Sequence, residues 1–453
     1  MKINMIIFMG LSLTLQIFAS ESRIQAMGRT DDYMDDVINI FFNPALILKY
    51  NPLLVGEVGR MASHGDSIFS AQPIDPWYGG IVSLGGETKI CLGLVINRPN
   101  VFTRFVESTF LDFKKEFFVV PPEIQSTGEG FVAITVKNKY SVGGNIYTGF
   151  GRDNTLKNDE RARDTWSVMI LGTGGLYADL TDKFAIDVSG GLGNFFYAME
   201  DIDSTVSWKS GLDSGFVNYS IGLEKIELPA VSLFFRGKFK LKVTEHLILM
   251  LPLVKLEQYG VNYQIKKFNQ VKVDSSGLTT VRNALPDVEK KVYTFQNLVL
   301  GMGFNWQDDV TDFYVGLNGV QRFDKRKNEN EDIERANDYF GFLLNFGIER
   351  RIIWEWLALR TGGQKLLAIG SRVTKVGNIE YKSNPLVTNP DSDGSEDDML
   401  SMGLGIVVDN KLNLDFVISE SFPFRMGSLF SGDVGNVFTR FSATYNFGGA
   451  EKE

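Results

Sequence analysis

The segment Val292–Trp306 reads VYTFQNLVLGMGFNW, and its pattern decides the fold class of this chain. Large apolar side chains occupy alternate positions in its second half, and glycines and amides occupy all the positions between them except Val299. A period of two residues is typical of a β-strand, because successive side chains point to opposite faces of a sheet. The same division recurs in 184–191, 340–349 and 412–419. The sequence therefore predicts an all-β protein.

Alternation alone does not separate a soluble β-sandwich from an outer-membrane barrel, because the apolar face meets a core in one and lipid in the other. The alternating segments run for about 10 to 15 residues, and about 9 to 11 are enough to cross a bilayer at a tilt. Short polar turns such as 137–139 and 409–411 alternate with long polar connections such as 263–290 and 380–398. These features favour a transmembrane antiparallel β-barrel of about 14–16 strands over residues 53–447, with a periplasmic or secreted sandwich as the alternative.

The composition excludes several function classes. The 453 residues include 46 Lys and Arg against 55 Asp and Glu, and this net charge of −9 disfavours a nucleic-acid partner. The single cysteine, Cys91, cannot form an internal disulfide. The two histidines, His64 and His246, have no nucleophile pattern near them, and we find no phosphate-cradling or metal-ligand spacing. We therefore expect no catalytic residues, no metal and no cofactor.

Both ends of the chain carry signals of export. Lys2, an apolar run and then small residues up to Ser22 predict a signal peptide over residues 1–22, with cleavage near Ser20 or Ser22. The last amphipathic strand closes on Phe447 and resembles the signal that the bacterial barrel-assembly machinery recognises; a short polar tail, 448–453, follows it. We therefore expect that machinery and the lipid bilayer of the bacterial outer membrane as partners.

The segment Gln25–Ala45 carries an Asp-rich stretch that leads into Asn43-Pro44-Ala45, directly before the first candidate strand. It resembles the N-terminal plug of the long-chain fatty acid porin family of outer membranes. The resemblance implies that residues 23–52 form a plug in the barrel lumen and that hydrophobic small molecules, such as fatty-acid-like compounds, pass by passive uptake. Some relatives secrete proteins, so a non-enzymatic secretion shuttle or surface-binding barrel stays open as the alternative.

One predicted strand, Val231–Val243, is a candidate docking site for the plug. Its inward parity carries four cations, which repel each other unless anions compensate them. The aspartates of the plug are the nearest match, so we expect the plug to dock there; the alternative is that the cations line a hydrated lumen or meet carboxylates on neighbouring strands. The residues in question are Arg236, Lys238, Lys240 and Lys242 on the strand, and Asp31, Asp32, Asp35 and Asp36 in the plug.

The following strand, Leu247–Val254, is apolar on both parities. Its predicted inward side chains, Ile248, Met250 and Val254, either pack on the plug or line a pocket for a hydrophobic ligand. Pro252 has no backbone N–H to donate, so a bulge or a break in pairing is expected there.

Overall fold

The computed structural model shows a β-barrel with its N-terminal segment in the lumen. It describes residues 21–28, 32–34, 36–50, 52–60, 73–86, 88–98, 124, 126–137, 139–158, 161–209, 216–268, 271–273, 279–281, 287–328, 332–352, 356–383, 386–387, 399–408, 411–418 and 438–446. The predicted signal sequence up to residue 20, Asp31, Asp35, His64, the acidic run 391–398 and the tail 448–453 lie outside these ranges.

The described strands are numbered in chain order. They are β1 (Leu53–Arg60), β2 (Pro73–Gly85), β3 (Thr88–Ile96), β4 (Ser126–Val136), β5 (Tyr140–Asn158), β6 (Arg161–Thr181), β7 (Phe184–Lys209), β8 (Phe216–Lys242), β9 (Leu247–Phe268), β10 (Val271–Val273), β11 (Thr279–Val281), β12 (Asp287–Gln307), β13 (Thr311–Asn328), β14 (Ile333–Arg351), β15 (Leu357–Val376), β16 (Ile379–Ser383), β17 (Leu386–Val387), β18 (Met399–Val408), β19 (Leu412–Ile418) and β20 (Phe438–Asn446).

Antiparallel pairing closes the sheet into a barrel. The main sheet has 18 strands, of which the short β16 and β17 only extend the wall beside β15, so 16 strands form the barrel itself. The first strand pairs with the last, from Leu53 opposite Asn446 to Gly59 opposite Arg440. Closure leaves no unpaired edge in lipid. The prediction of an antiparallel barrel of about 14–16 strands is confirmed.

The side chains that alternate along β15 show which face meets lipid. Leu367 and Ile369 are 58% and 68% exposed, whereas Leu366 and Ala368, which alternate with them, are 0% and 3% exposed. The same outward exposure of apolar side chains runs around the barrel, for example at Leu192. A continuous apolar belt of this kind is stable in hydrocarbon and not in water. The barrel therefore spans the bacterial outer membrane with its apolar parity outward, as predicted.

Helices make up little of the described part of the chain. Within the described ranges, no helix combines the length and the apolar character that a membrane-crossing helix requires.

One end of the barrel carries short turns. The turn between β8 and β9 covers 243–246, and the turn between β12 and β13 covers 308–310. In the second turn Asp308 accepts hydrogen bonds from the backbone N–H groups of Val310 at 2.8 Å and Thr311 at 2.6 Å, and these bonds lower the pKa of its carboxyl. Outer-membrane barrels turn such short connections to the periplasm.

A β-bulge interrupts β9 at Leu251 and Pro252, where the sequence predicts one. Gly301 of β12 pairs with Leu253 and Gly303 pairs with Met250, so two residues of β9 stand opposite one of β12. The extra residue exchanges the two faces of the strand: Met250 and Leu253 are both buried. The predicted inward orientation of Val254 is therefore wrong, because Val254 pairs with the lipid-facing Leu300.

The N-terminal segment fills the lumen at the short-turn end. It consists of α1 (Glu21–Ala26), a first 3-10 helix (Val37–Phe41) and a second 3-10 helix (Pro44–Lys49). Its apolar side chains share one buried cluster with inward residues of the wall, among them Trp77 and Phe131. We refer to this segment as the plug, as in the sequence-based prediction, and note that α1 begins two residues before the predicted boundary at residue 23.

Candidate functional site

The Asn43-Pro44-Ala45 motif both starts a helix and fastens the plug to the wall. The Asn43 side chain accepts a hydrogen bond from the Ala45 backbone N–H at 3.0 Å, and Pro44 occupies the first position of the second 3-10 helix. The Asn43 amide donates to Asp187 Oδ1 at 2.7 Å, and Ser141 Oγ donates to the Ala45 carbonyl at 2.6 Å. The same three residues therefore connect the plug to β5 and β7.

Glycines on the inward parity let the plug approach the wall. The ring of Tyr33 lies flat against β13 at Gly316, where an added methyl group would be 1.9 Å from Tyr33 Cε2. The Tyr33 hydroxyl donates a short hydrogen bond to Asn318 on the same strand. At Gly362 an added methyl group would be 2.1 Å from the Met27 carbonyl carbon. Only glycine leaves room for the plug at these positions.

Asp32 docks on the basic stripe of β8, the name we give to Arg236, Lys238, Lys240 and Lys242. Arg236 NH2 lies 2.8 Å from Asp32 Oδ1, Lys255 of β9 forms a second ion pair with the same carboxylate, and Lys238 Nζ donates to the Asp32 carbonyl at 3.3 Å. Burial raises the pKa of Asp32, but the charges of Lys255, Arg236 and Lys238 outweigh burial and hold the pKa below its ordinary value. The carboxylate is thus ionised in the seated plug.

The remaining cations of the stripe have other surroundings. Lys238 Nζ also lies 3.6 Å from Asp187 Oδ2 on the neighbouring β7, and Lys240 stands 5.8 Å from the centre of the Tyr177 ring. Lys242 ends β8 at the periplasmic rim and is exposed, so it does not reach the plug. The stripe therefore meets both the plug and carboxylates of the wall.

Asp36 lies away from the basic stripe. Its Oδ1 accepts a hydrogen bond from the Ile38 backbone N–H at 3.1 Å and so caps the first 3-10 helix. Its Oδ2 faces Arg23 NH1 of α1 at 3.8 Å. The expectation that Asp36 meets the cations of β8 is wrong, because α1 folds back and places its own arginine beside this carboxyl.

Arg23 is the centre of a buried ion-pair cluster. Its Nε donates to Glu349 Oε2 of β14 at 2.7 Å, and its NH2 lies 3.3 Å from Asp312 Oδ2 of β13. Burial lowers the pKa of Arg23, but Glu349, Tyr314, Asp36 and Asp312 raise it well above its ordinary value, so the guanidinium stays charged. The plug is thus held by a cation of its own on carboxylates of the wall.

A second arginine extends this cluster around the wall. Arg360 Nε of β15 donates to Glu349 Oε2 at 2.5 Å, and its NH1 donates to Asp415 Oδ1 of β19 at 2.6 Å. We call the set the arginine latch. It comprises Arg23, Asp36, Asp312, Glu349, Arg360 and Asp415.

Ile248 and Met250 lie at the buried cluster that the plug forms with the wall. Met250 and Leu253 belong to the same buried cluster as the plug residues Ile40 and Leu46, and Ile248 packs against that cluster from its edge. This position agrees with plug packing, one of the two uses predicted for this strand, which stays a prediction.

Beyond the plug, inward side chains of β5–β9 and β12 form an aromatic patch. Its buried members include Tyr147, Phe195, Tyr197, Tyr259 and Tyr293, and Tyr259 stacks on Phe295 with ring centres 5.7 Å apart. An apolar cluster on the lumen side is unusual, because the inner face of an outer-membrane barrel is ordinarily polar. The aromatic patch is Tyr147, Met169, Leu171, Phe195, Tyr197, Ala230, Tyr259, Val261 and Tyr293.

Arg98, just after β3, connects the plug with the aromatic patch. Its guanidinium stands 3.6 Å from the centre of the Phe41 ring of the plug and pairs with Glu129 at 3.1 Å. Its carbonyl accepts a hydrogen bond from the Tyr147 hydroxyl at 3.0 Å. Movement of the plug would therefore change the contacts of Arg98 and, through Arg98, the position of Tyr147 in the patch.

The lumen wall from β12 to β14 is polar. Arg322 NH1 donates to the Tyr339 hydroxyl at 3.1 Å, and its Nε donates to Asn297 Oδ1 at 3.4 Å. Asn337 Nδ2 donates to Asp324 Oδ2 at 2.9 Å. The lumen beyond the plug thus has an aromatic side and a polar side. In the described ranges, no group of three or more His, Cys, Asp or Glu side chains is placed to hold a metal ion.

Comparison with known proteins gives distant structural likenesses. No family model and no curated protein matches the chain. The chain is similar to the monoaromatic hydrocarbon channel CymD at 9% identity, over 94% of this chain and 97% of that one, with a TM-score of 0.39. It is similar to the toluene transporter TbuX of Ralstonia pickettii at 11% identity, over 93% and 95%, with a TM-score of 0.37. It is also similar to the toluene transporter TodX of Pseudomonas putida at 8% identity, over 96% and 97%, with a TM-score of 0.37. The fold described above rests on strand pairing, and likenesses of this size add nothing to it.

Proposed function

We propose that the protein is an outer-membrane channel for the passive uptake of hydrophobic small molecules, including fatty-acid-like compounds. The aromatic patch carries this proposal. Its side chains lie on the inner face beyond the plug and are packed together, so a hydrophobic compound enters by parting them and gains apolar contact inside the barrel. Binding there needs no energy source, because burial of apolar surface supplies the driving force.

The plug has the second role in this proposal. It occupies the periplasmic end of the lumen and is fixed by Asn43 and Ala45, by Asp32 on the basic stripe, and by the arginine latch. A compound that has reached the aromatic patch passes further only when the plug shifts. Ile248 and Met250 contribute by packing against the seated plug, which makes the seated state the resting one.

Adjacent phenylalanines on β7 give a matched test of this function. Phe195 belongs to the aromatic patch and is 1% exposed, whereas Phe196 faces outward and is 50% exposed. Phe195→Asn replaces apolar contact surface, worth about 1.5–3 kcal/mol for a phenylalanine, so we expect uptake of a radiolabelled fatty acid into proteoliposomes to fall about tenfold or more. Phe196→Asn lies at the outer end of the apolar belt, where polar groups are tolerated, and should change uptake by less than twofold.

Equal uptake by both variants would remove the aromatic patch from the path. If the unmodified protein moves no hydrophobic compound into vesicles and instead co-purifies with a secretion machinery, the channel proposal fails and the secretion-shuttle alternative replaces it.

A further inference from the structure

The arginine latch holds more carboxylates than cations. Its described members are two guanidinium groups, from Arg23 and Arg360, and four carboxyl groups. Full ionisation would leave an excess of two negative charges in a buried cluster, which is costly in a medium of low dielectric constant. A bound proton on one carboxyl group reduces that cost.

The geometry singles out Asp36 as the carboxyl group that holds the proton. Glu349 accepts from both arginines at 2.7 and 2.5 Å, Asp415 accepts from Arg360 at 2.6 Å, and Asp312 lies 3.3 Å from Arg23. Asp36 Oδ2 is 3.8 Å from Arg23, beyond hydrogen-bond distance. This oxygen is buried and has no hydrogen-bond partner in the described part of the chain.

The charged groups that act on Asp36 come from three elements: Arg23 of α1, Arg360 of β15 and Asp415 of β19. Asp312 and Tyr314 of β13 and Glu349 of β14 face Arg23. The two arginines also pair with Asp312, Glu349 and Asp415, and the charge of Asp415 repels a charge on Asp36. We propose that Asp36 is a proton-binding site of the seated plug and that loss of this proton loosens the plug from the wall.

The titration of Asp36 agrees with this placement. Burial raises its pKa to about 7, and Arg23 offsets that effect only in part. A hydrated Asp36 in a displaced plug would return to the ordinary value of about 3.9. Because the pKa is higher in the seated state, the stabilisation is complete below about pH 3.9 and is lost as the pH rises to about 7. From pH 5 to pH 8 the equilibrium constant for seating the plug should therefore fall about 100-fold.

The contribution of Asp32 to plug seating depends on pH in the opposite direction, so Asp32 serves as a reference. Its pKa is lowered in the seated state, so its contribution is present above the ordinary aspartate value and is lost only at lower pH. Between pH 5 and pH 8 that contribution is constant. Asp32→Asn should weaken seating at every pH in this range and leave the pH dependence unchanged.

The single cysteine reports on the plug without any engineering. Cys91 is 0% exposed and belongs to the buried cluster that the plug forms with the wall. A water-soluble maleimide reaches it only after the plug has moved. The labelling rate of the full-length protein in detergent is measured from pH 5 to pH 8. This rate is proportional to the displaced fraction, which is the fraction of molecules whose plug has left the wall, and to the intrinsic reactivity of the Cys91 thiol.

Asp36→Asn isolates the proton effect. Asparagine keeps an oxygen that can cap Ile38, carries no titratable charge, and leaves the Cys91 thiol in the same chemical setting. We expect the ratio of the wild-type rate to the Asp36→Asn rate to rise about 100-fold from pH 5 to pH 8. Parallel rates for the two proteins across this range would overturn the proposal.

A second measurement covers the case in which Asp36→Asn does not assemble. The wild-type rate at each pH is then divided by the rate of the same thiol in the urea-unfolded protein, which removes the intrinsic pH dependence of the maleimide reaction. A rise of about 100-fold or more supports the proton site at Asp36, and a rise of about tenfold or less contradicts it. Neither readout depends on which compound the channel carries.

Discussion

Replacing Arg23 with glutamine is expected to unseat the plug. The substitution removes the cation that Glu349, Asp312 and Asp36 share, while all three carboxyl groups stay in the wall and plug. Breaking a buried ion pair from one side costs about 3–5 kcal/mol, because the remaining charge is left buried without its partner. Such a cost raises the displaced fraction by two orders of magnitude or more. Single-channel conductance in planar bilayers and maleimide labelling of Cys91 should both increase.

Arg350→Gln is the matched control for this change. Arg350 follows Glu349 directly in β14 but points outward and is exposed, so its loss should leave conductance and labelling as they are. A closed, unlabelled Arg23→Gln protein would show that α1 does not hold the plug in place.

Leucine at position 316 should have a comparable effect for a steric reason. An added methyl group alone would be 1.9 Å from Tyr33 Cε2, so the larger side chain leaves no room for the ring. Overpacking of this kind costs about 1–3 kcal/mol and occasionally more. We expect Gly316→Leu to displace Tyr33 from Asn318 and to raise conductance, with a barrel that still shows heat-modifiable migration in gels.

A second substitution distinguishes displacement of the plug from disruption of the barrel. Tyr33→Ala in the Gly316→Leu background removes the colliding ring and should restore low conductance in part. Gly172→Leu on the outward face of β6, where an added methyl group meets nothing within 4 Å, should leave conductance unchanged. If the double variant has the same high conductance as Gly316→Leu alone, a direct contact between positions 33 and 316 is contradicted.

The sequence predicts the barrel because a period of two is a local property. The alternation in Val292–Trp306 is enough to divide inward from outward side chains, and the structure keeps that division along β12. The start of the second 3-10 helix at Asn43-Pro44 is equally local, since a capping side chain and a proline act on their own neighbours. The basic stripe of β8 also follows from parity alone.

The partners of these residues could not be predicted in the same way. Arg23 and Glu349 meet across 326 positions of sequence, and nothing near either residue indicates the other. Parity places Glu349 and Asp415 on the inner face without saying which cation each one meets. At Val254 the parity itself fails, because a bulge adds a residue and exchanges the two faces of β9 beyond it.

The aromatic patch could not be predicted from the sequence for a related reason. Each of its six strands contributes only one or two inward apolar side chains, such as Tyr147 on β5 and Tyr259 on β9. No single strand therefore looks unusual. The patch forms only when the strands stand side by side at a fixed register, which the sequence of one strand does not specify.

Spin labelling along β15 tests the central claim, that the apolar parity faces lipid around a filled lumen. Labels placed one at a time at Leu366, Leu367, Ala368 and Ile369, in a Cys91→Ser background and reconstituted in bilayers, report collision with oxygen, which concentrates in hydrocarbon. The account predicts high oxygen accessibility at 367 and 369 and low accessibility at 366 and 368, matching their exposed fractions of 58%, 68%, 0% and 3%. Uniform values at all four positions, or high accessibility at 366 and 368 instead, would contradict it.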